Sequence, residues 1–598
     1  MTLRDRLQRL LPFLSNEGLL ILLVALTAFR ALLVDLRLRP LSECRGCLAL
    51  PTAQHDGEVL GVVLLIFALA QIARSAAIRA GLRAIVCAVI LGYGLDLLIL
   101  YLYNIRLVVS DFFKYGREVG GIVTIARHLI QTPAGIANLI VILVVTGLMV
   151  VFVRSTARLG RTSVRAFAAA GLALLVIGVL PGRAQFVHAW AYRNVFEINF
   201  DRDVSAAYSD AFAAALRARR HDLRVGQSCS SRAPARPDVL MVVLEGFSMY
   251  HSRFFSGLGD QTPNLDRIAA RHTAYTRFFA NGFTTENGLI ALLAGQVPTP
   301  APGPVAFGGG FAFDGFFDLP RSLPRLFETH GYRTSFLTTG DLSFSDKGEW
   351  LSELGFNELA GHDDPFYDGW PRMHFRAAPD SALYLRALRW LEQTPRDRPF
   401  FLVLETVSSH HPFIEPATRR KSEPAVFRYA DRQLGLFYDA LAERGVLDSL
   451  LLIVVSDHRT MTPVRPEEVA RFGDDAPSLV PLVIADPARS RPRRIDSRFQ
   501  QVDFATSVEA MLTGRSCPAT VRGDLLADPP VAPACVFHAR VDDRGKVDVV
   551  CGADRAAVRL GGDATRIESG AVPDAQSLLD QVNLERLERR DARKRSHR

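Results

Sequence analysis

Three residues capable of holding a metal ion follow apolar runs of the kind that end at the edge of a sheet. Glu245 comes directly after "VLMVVL", and Asp457 with His458 after "LLLIVVS". In open α/β sheets ligands gather beyond the carboxyl ends of the strands. Two carboxylates and an imidazole there are donors suited to Mn²⁺, Zn²⁺ or Mg²⁺. Each residue alone is equally at home as a helix cap or a surface charge. Two hydroxyls, Thr284 and Thr285 in "NGFTTENGLIALLAG", stand directly before an apolar helical pattern. At a helix N-terminus, free N–H groups and the dipole favour a phosphate or an alkoxide, and a threonine there also serves as an N-cap. From the residues alone, either hydroxyl fits either role. Gly282 and Gly288 suit a tight backbone approach.

The elements that must carry these residues are legible as an alternation. Short runs rich in Val, Ile and Leu at 239–244, 333–339, 400–406, 450–456 and 479–484 are separated by longer helical patterns. That pattern predicts a mostly parallel sheet buried on both faces. From 535 onward, "CVFHARV", "KVDVVCG" and "AAVRLGG" predict a small antiparallel appendage, followed by a charged helix, "LERLERRDARKRSHR", read as a solvated tail.

A hydrophobic content of 49% is high for a wholly soluble chain. The excess lies in the first third, where about five segments, near 17–36, 58–78, 82–103, 137–154 and 165–181, approach the roughly 20 residues that span a bilayer. A basic stub (Arg4, Arg6, Arg9) precedes the first, and the absence of a small-residue cleavage site makes it an anchor. Short basic loops after the second and fourth segments (Arg74, Arg79, Arg83; Arg154, Arg158, Arg161) place them in the cytoplasm and everything after 182 outside. The longer loop 105–136, with Arg106, Lys114, Arg117 and Arg127, is read as an amphipathic segment on the outer surface. Arg30, Asp35 and Asp96 are expected to snorkel or cap near span ends, which argues against a transport pathway. The expected organisation is a transmembrane domain at 1–182, an amphipathic stalk at 183–235, an α/β catalytic domain at 236–534, and the appendage with its tail at 535–598.

The net charge of +8 comes from dispersed arginines, many flanking the spans, which suits anionic lipid headgroups and argues against nucleic acid. Of seven cysteines only Cys87 lies in a span; the outer ones permit disulfides, with Cys517–Cys535 the expected pair. "CRGC" at 44–47 lacks the second cysteine pair that a zinc ribbon requires.

In this order, "DVLMVVLEGFS", "TPNLDRIA", "FFANGFTTENG", "LSFSDKGEWLSELGFNEL", "TVSSHHPF" and "LLLIVVSDH" resemble the alkaline phosphatase and sulfatase superfamily over roughly 236–515. More narrowly they resemble its membrane-anchored branch of lipoteichoic acid synthases, phosphoglycerol transferases and phosphoethanolamine transferases. The resemblance implies an alkaline phosphatase-like fold after a multi-pass helical domain, in a bacterial cytoplasmic membrane with the catalytic domain on the periplasmic or extracellular side. It implies one divalent ion, Mn²⁺ foremost, on Glu245, Thr284, Asp457 and His458. Thr284 is the implied nucleophile, because the family's threonine follows a Gly-x pair, and Thr285 a supporting cap. His410 is the implied phosphoryl contact from a His-x-Pro pattern, and Lys347 occupies the place of a substrate-binding arginine. Arg459 replaces the glycine usual in hydrolytic relatives and is read either as a phosphate contact or as a surface charge.

The implied activity moves a phosphoglycerol headgroup from a membrane phospholipid, through a phosphothreonine, to a glycan or glycolipid hydroxyl. Phosphoethanolamine transfer is the runner-up. A hydrolase using water as acceptor, a sulfatase and a non-catalytic binding relative are the other readings. The sulfatase lacks its Cys/Ser-x-Pro-x-Arg sequence here, and "GFTTENG" stands in its place.

Overall fold

In the computed structural model the described residues are 3–38, 49–103, 106–107, 133–155, 158–179, 193–199, 207–220, 223, 229–299, 322–411, 413–462, 464–489, 491–518, 521–540 and 545–596. The chain divides into two units, an N-terminal one holding the described residues up to Asn199 and a second one holding those that follow. Most of the loop 105–136 and the cysteines Cys44 and Cys47 lie outside the described residues.

The N-terminal unit consists of long helices: α1 (Leu3–Leu38), α2 (Ala49–Ile72), α3 (Ala76–Tyr103), α4 (Pro133–Arg154) and α5 (Arg161–Val179), with a short α6 (Val195–Asn199) after them. Among the described residues four stretches are long and apolar enough to cross a membrane, Leu19–Leu36, Pro51–Ile72, Ala76–Tyr101 and Arg161–Gly178; Leu143–Arg154 of α4 is apolar but shorter. Outward-facing Ile21, Leu32, Leu69, Ile78, Leu98 and Leu143 give these helices an apolar exterior. Where α2 meets α5, a Cβ on Gly61 would lie 2.8 Å from the Gly171 carbonyl oxygen, so small residues set this close approach.

The second span begins earlier than its hydropathy suggests, at Pro51 in place of 58, because polar residues at its start are buried inside the unit. Asp56 accepts from Arg30 at 2.5 Å and from the Tyr93 hydroxyl at 2.9 Å, while Asp96 pairs with Arg106 at 2.6 Å. Arg30 and Asp96 therefore do not snorkel: both are fully buried in an ionic network, where pairing offsets desolvation. Nor does Arg83 lie in a basic loop. It is buried within α3 and donates to the carbonyls of Phe152 and Ser155 at the end of α4.

The second unit is built on an eight-stranded sheet. Its strands are β1 (Asp238–Leu244), β2 (Thr273–Tyr275), β3 (Arg333–Thr338), β4 (Glu358–Ala360), β5 (Phe400–Glu405), β6 (Leu450–Ser456), β7 (Leu482–Ala485) and β8 (Arg493–Ile495). The order across the sheet is β8-β2-β7-β6-β1-β5-β3-β4, with β7 antiparallel to both neighbours and every other pairing parallel. All five predicted runs are strands of this sheet, and the three it adds are three residues each, too short to show a periodicity. Along β1, Val239, Met241 and Val243 enter the core on one face and Leu240, Val242 and Leu244 that on the other, so both faces are covered.

Beyond the sheet, β9 (Cys535–Ala539), β10 (Lys546–Cys551), β11 (Asp554–Arg559) and β12 (Arg566–Gly570) form the expected antiparallel meander. The charged helix after it, Ala575–Ser596, is not solvated. Its Leu584 and Leu587 pack with Ala213 and Leu216 of the helix Asp210–Ala218, and buried Arg589 donates to Gln296 and to the Val297 carbonyl.

Among the described residues the disulfides are Cys229–Cys517 and Cys535–Cys551, not Cys517–Cys535. Strand register decides this. Ser230 pairs with Ser516, which sets the flanking Cys229 and Cys517 side by side, and Cys535 is directly opposite Cys551 between β9 and β10.

Candidate active site

Parallel registration brings the strand ends to one edge. Leu244 is level with Ser456, and Val243 with both Val455 and Glu405, so the residues just past β1, β5 and β6 converge. Buried Glu245, Asp457 and His458 form the cluster that the sequence pointed to. His458 Nε2 lies 3.4 Å from Glu245 Oε1 and 3.4 Å from Asp457 Oδ2. Ligand bonds of about 2.0–2.2 Å in tetrahedral geometry place neighbouring donor atoms roughly 3.4 Å apart, so these spacings fit a shared cation.

The orientation of each donor is fixed from behind. His458 Nδ1 donates to the Arg459 carbonyl at 2.8 Å, which leaves Nε2 toward the carboxylates. Asp457 Oδ1 accepts from the amides of Gly246 and His458 at 2.8 and 2.7 Å, while its Oδ2 is buried without a hydrogen-bond partner. An orphaned carboxylate oxygen aimed into such a cluster is what a cation would satisfy. Gln501 Nε2 donates to the carbonyls of Ser456 and Asp457 and holds that chain end in place.

Charge coupling gives the same picture. Burial would lower the His458 pKa, but Asp457 and then Glu245 raise it to about 9. Asp457 is pushed up by burial and by the Glu245 charge, and Glu245 is held down by His458 in spite of its burial. The cluster holds protons where a divalent ion would supply positive charge.

A second His/Glu group, His55, Glu58 and Glu197 in the N-terminal unit, differs in spacing. His55 Nδ1 is 2.7 and 2.8 Å from the two Glu197 oxygens, a hydrogen-bond distance shorter than the separation of ligands around an ion.

The two threonines differ in what their hydroxyls touch. Thr284 has extended backbone (φ −124°, ψ 161°) at the N-cap of the short helix Thr285–Leu289, and its hydroxyl accepts from the Asn287 amide at 3.3 Å. Thr285 is the first helical residue. Its Oγ1 donates to Glu245 Oε2 at 2.9 Å and lies 3.4 Å from His458 Nε2. The hydroxyl bonded to the cluster is that of Thr285, while that of Thr284, the residue expected there, meets the helix end. Gly288 lets this helix approach, since a Cβ there would fall 2.3 Å from the Asp457 carbonyl oxygen.

The segment "TVSSHHPF" is fastened by its hydroxyls. Thr406 Oγ1 accepts from the Glu245 amide at 2.9 Å, Ser409 donates to the Glu245 carbonyl at 2.6 Å, and Asp380 accepts from the amides of Val407 and Ser408. His410 is partly exposed with Nδ1 on the His411 carbonyl at 2.6 Å. Lys347 Nζ pairs with Glu405 Oε1 at 2.7 Å, while Glu405 Oε2 is buried without a hydrogen-bond partner. Arg459 neither points at a phosphate nor lies on the surface. It is buried against Glu468 at 2.7 Å and donates to the Thr460 and Thr462 carbonyls.

Sequence reasoning passed over Thr406, Ser409, Glu405 and Gln501. The two hydroxyls and Glu405 sit within or beside a motif, whereas Gln501 carries no local signal.

The Sulfatase family matches residues 237–514. This span is a sulfatase-like domain. The sulfatase domain contains every residue of the cluster just described. Among curated proteins the chain is similar to human N-acetylgalactosamine-6-sulfatase, at 23% identity over 278 residues, 40% of this chain and 53% of that protein. It is also similar to phosphoglycerol transferase I of Xanthomonas campestris pv. campestris, at 26% identity over 218 residues, 33% of this chain and 30% of that protein. The chain therefore spans about half or less of the length of these relatives. A protein in the alkaline phosphatase superfamily from Vibrio parahaemolyticus shares the fold, with TM-score 0.52 and 17% identity over 66% of this chain and 98% of that one. The lipoteichoic acid synthase LtaP from Listeria monocytogenes aligns with TM-score 0.48 and 19% identity over 64% of this chain and 98% of that one.

Proposed function

We propose that this chain is a membrane-anchored phosphotransferase that moves a phosphoglycerol headgroup from a phospholipid, through a covalent intermediate on Thr285, to a glycan or glycolipid hydroxyl. The observation that carries the reading is the Thr285 hydroxyl set 2.9 Å from Glu245 and 3.4 Å from His458 beyond the ends of β1 and β6. A divalent cation, Mn²⁺ foremost, held by Glu245, Asp457, His458 and the Thr285 oxygen would lower the pKa of that hydroxyl and draw charge from the phosphoryl oxygens. Glu245 Oε2 orients the hydroxyl and accepts its hydrogen. Thr285 Oγ then forms a bond to phosphorus, the diacylglycerol oxygen leaves and takes up a proton, and glycerophosphate remains on the threonine. Attack by an acceptor hydroxyl breaks the Thr285 ester and returns the proton to Oγ. His410 would contact the phosphoryl group.

Several observations support this reading over its rivals. The match to a phosphoglycerol transferase and the candidate spans suit a donor that stays in the bilayer. The two disulfides suit an oxidising compartment outside the cytoplasm. A formylglycine sulfatase needs Cys or Ser where this chain has Thr284 and Thr285. Transfer of phosphoethanolamine remains the second reading, because two disulfides in the outer domain also suit that branch.

The test is mass spectrometry of the peptide carrying Thr284 and Thr285 after incubation of detergent-purified protein with Mn²⁺ and either phosphatidylglycerol or phosphatidylethanolamine. A glycerophosphate adduct on Thr285 supports the proposal, and a phosphoethanolamine adduct moves it to the second donor. Lipid consumption with free headgroup released and no acceptor modified would make the chain a hydrolase.

A further inference from the structure

Buried backbone carbonyls at the end of a strand need donors from outside the sheet. At the end of β6 the donor is Gln501, whose Nε2 reaches the Asp457 carbonyl at 2.6 Å and the Ser456 carbonyl at 3.0 Å. The other end of the same amide is engaged as well: Gln501 Oε1 accepts from the backbone amide of Asn281 at 2.9 Å. Two carbonyls on one side and an N–H on the other admit only this orientation of the side chain.

Asn281 opens the loop "NGFT" that leads into the helix Thr285–Leu289. Its side chain completes an interlock. Oδ1 accepts from the Val502 amide at 3.1 Å, and Nδ2 donates to Gln500 Oε1 and to the Phe537 carbonyl, both at 2.8 Å. Just before it the two-residue strands Phe278–Phe279 and Phe499–Gln500 pair in parallel, and the Gln501 amide extends that ladder to the Phe279 carbonyl at 3.2 Å. Asn281, Gln500 and Gln501 are all fully buried. The Asp457 carbonyl oxygen that Gln501 holds is also the atom that Gly288 approaches. One side chain therefore joins the two pieces of backbone whose separation sets the site, the strand end carrying Asp457 and the loop carrying Thr285.

We propose that Gln501 is a positioning residue: by tying the Asn281 amide to the Asp457 carbonyl it sets the distance between the Thr285 hydroxyl and the metal ligands. This rests on the proposed function for the role of Thr285 as nucleophile and ligand, whereas the tie itself does not. A merely structural glutamine would cost stability and leave Thr285 and position 501 independent; a positioning one couples them.

The experiment is a double-mutant cycle on the full-length protein in detergent, read as Mn²⁺ affinity by calorimetry. Gln501→Met keeps the length of the side chain and removes its hydrogen bonds. Thr285→Ala should lower affinity about tenfold in the wild-type background and less than about twofold beside Gln501→Met. Gln501→Glu, which keeps an acceptor for Asn281 and loses the donors, replaces Gln501→Met if that variant elutes unfolded and should give the same coupling. Ser507→Ala removes two buried hydrogen bonds within the domain, to the Asp503 carbonyl and from the Leu525 amide, and should leave the Thr285 effect whole. A Thr285 effect undiminished at position 501, or lost in Ser507→Ala as well, overturns the inference and leaves the function standing. No Thr285 effect in the wild type removes that hydroxyl from the metal and overturns both. Turnover of phosphatidylglycerol is measured alongside, and Gln501→Met should lower kcat about 100-fold with KM within about threefold. An unchanged kcat overturns the inference, whereas coupling in a wild-type chain that transfers nothing keeps the tie and removes the phosphotransferase.

Discussion

Thr285 Oγ1 donates to Glu245 Oε2 at 2.9 Å, across 40 residues of sequence, while the adjacent Thr284 hydroxyl turns back onto the Asn287 amide. The first contact places a hydroxyl in the carboxylate–imidazole cluster and the second closes a helix end, so single substitutions separate the two roles. Thr285→Ala should lower headgroup transfer by at least about three orders of magnitude, as expected for a nucleophile, and leave the unfolding temperature nearly unchanged. Thr284→Ala should cost about 1 kcal/mol of stability as a lost cap and retain turnover within roughly tenfold. The reverse pattern in transfer assays would return the chemistry to Thr284.

Uptake of the cation should be coupled to protons. His458 is held up to about 9, first against the pull of burial, then by Asp457 and Glu245. At pH 7 its ring is therefore protonated in the folded protein, and a cation binding Nε2 must displace that proton. Affinity for Mn²⁺ should rise with pH and level off near 9. Calorimetry at pH 7 in two buffers of different ionisation enthalpy should report proton release on binding, and heats that are the same in both would contradict it.

Gly288 is a steric condition for the site. The Asp457 carbonyl oxygen is 2.3 Å from where a Cβ would stand, and backbone cannot yield as a flexible side chain does. Gly288→Ala should cost about 1–3 kcal/mol, the range for overpacking, and displace Thr285 from Glu245. The measurement is Mn²⁺ stoichiometry and turnover in a variant that still elutes as folded protein; normal values for both would mean that the helix can shift freely.

How much of this was legible depended on whether a residue's role is local or assembled. Glu245, Asp457 and His458 follow uninterrupted apolar runs, and because β1 and β6 are parallel and in register their ends must meet. The choice between Thr284 and Thr285 was not legible, since it turns on which residue leaves the extended backbone first, a matter of one dihedral step at the helix start. The cysteine pairing was hidden for a similar reason. The two-residue strand that aligns Cys229 with Cys517 has no periodicity, and the sequence separation is 288 residues. In the N-terminal unit, charges at the start of α2 and in α3 looked like span ends, because the Arg30–Asp56 and Arg106–Asp96 pairs that permit their burial are contacts between distant residues.

That Cys229–Cys517 bridge ties the chain just before the sulfatase domain to its last helix, where Arg232 donates its amide to the Gly514 carbonyl at 2.8 Å. Cys229→Ser with Cys517→Ser should cost roughly 2–5 kcal/mol in denaturant unfolding of the full chain, with the active-site geometry and turnover retained under native conditions. A loss of turnover without loss of stability would assign the bridge to the site instead.

Glu423, at the start of the helix Glu423–Glu443, supplies an acid-sensitive brace. Burial opposes its charge, but His251 at 3.2 Å and Arg465 at 2.7 Å prevail and hold it down to about 2, while Arg465 stacks over Tyr250 at 3.9 Å. A carboxylate whose folded pKa is depressed stabilises above its unfolded value and loses that contribution as pH falls through the folded one. The window here runs from the ordinary 4.5 down to about 2. Glu423→Gln should therefore lower stability by on the order of 1–3 kcal/mol at pH 7, with the difference from wild type constant above pH 5 and closing toward pH 2. His251 is kept below its usual range by burial, so its protonation on acidification costs stability in both proteins. Urea unfolding of both proteins in detergent across that window measures the difference directly; a gap that stays open at pH 2 would mean that Glu423 contributes by packing and not by charge.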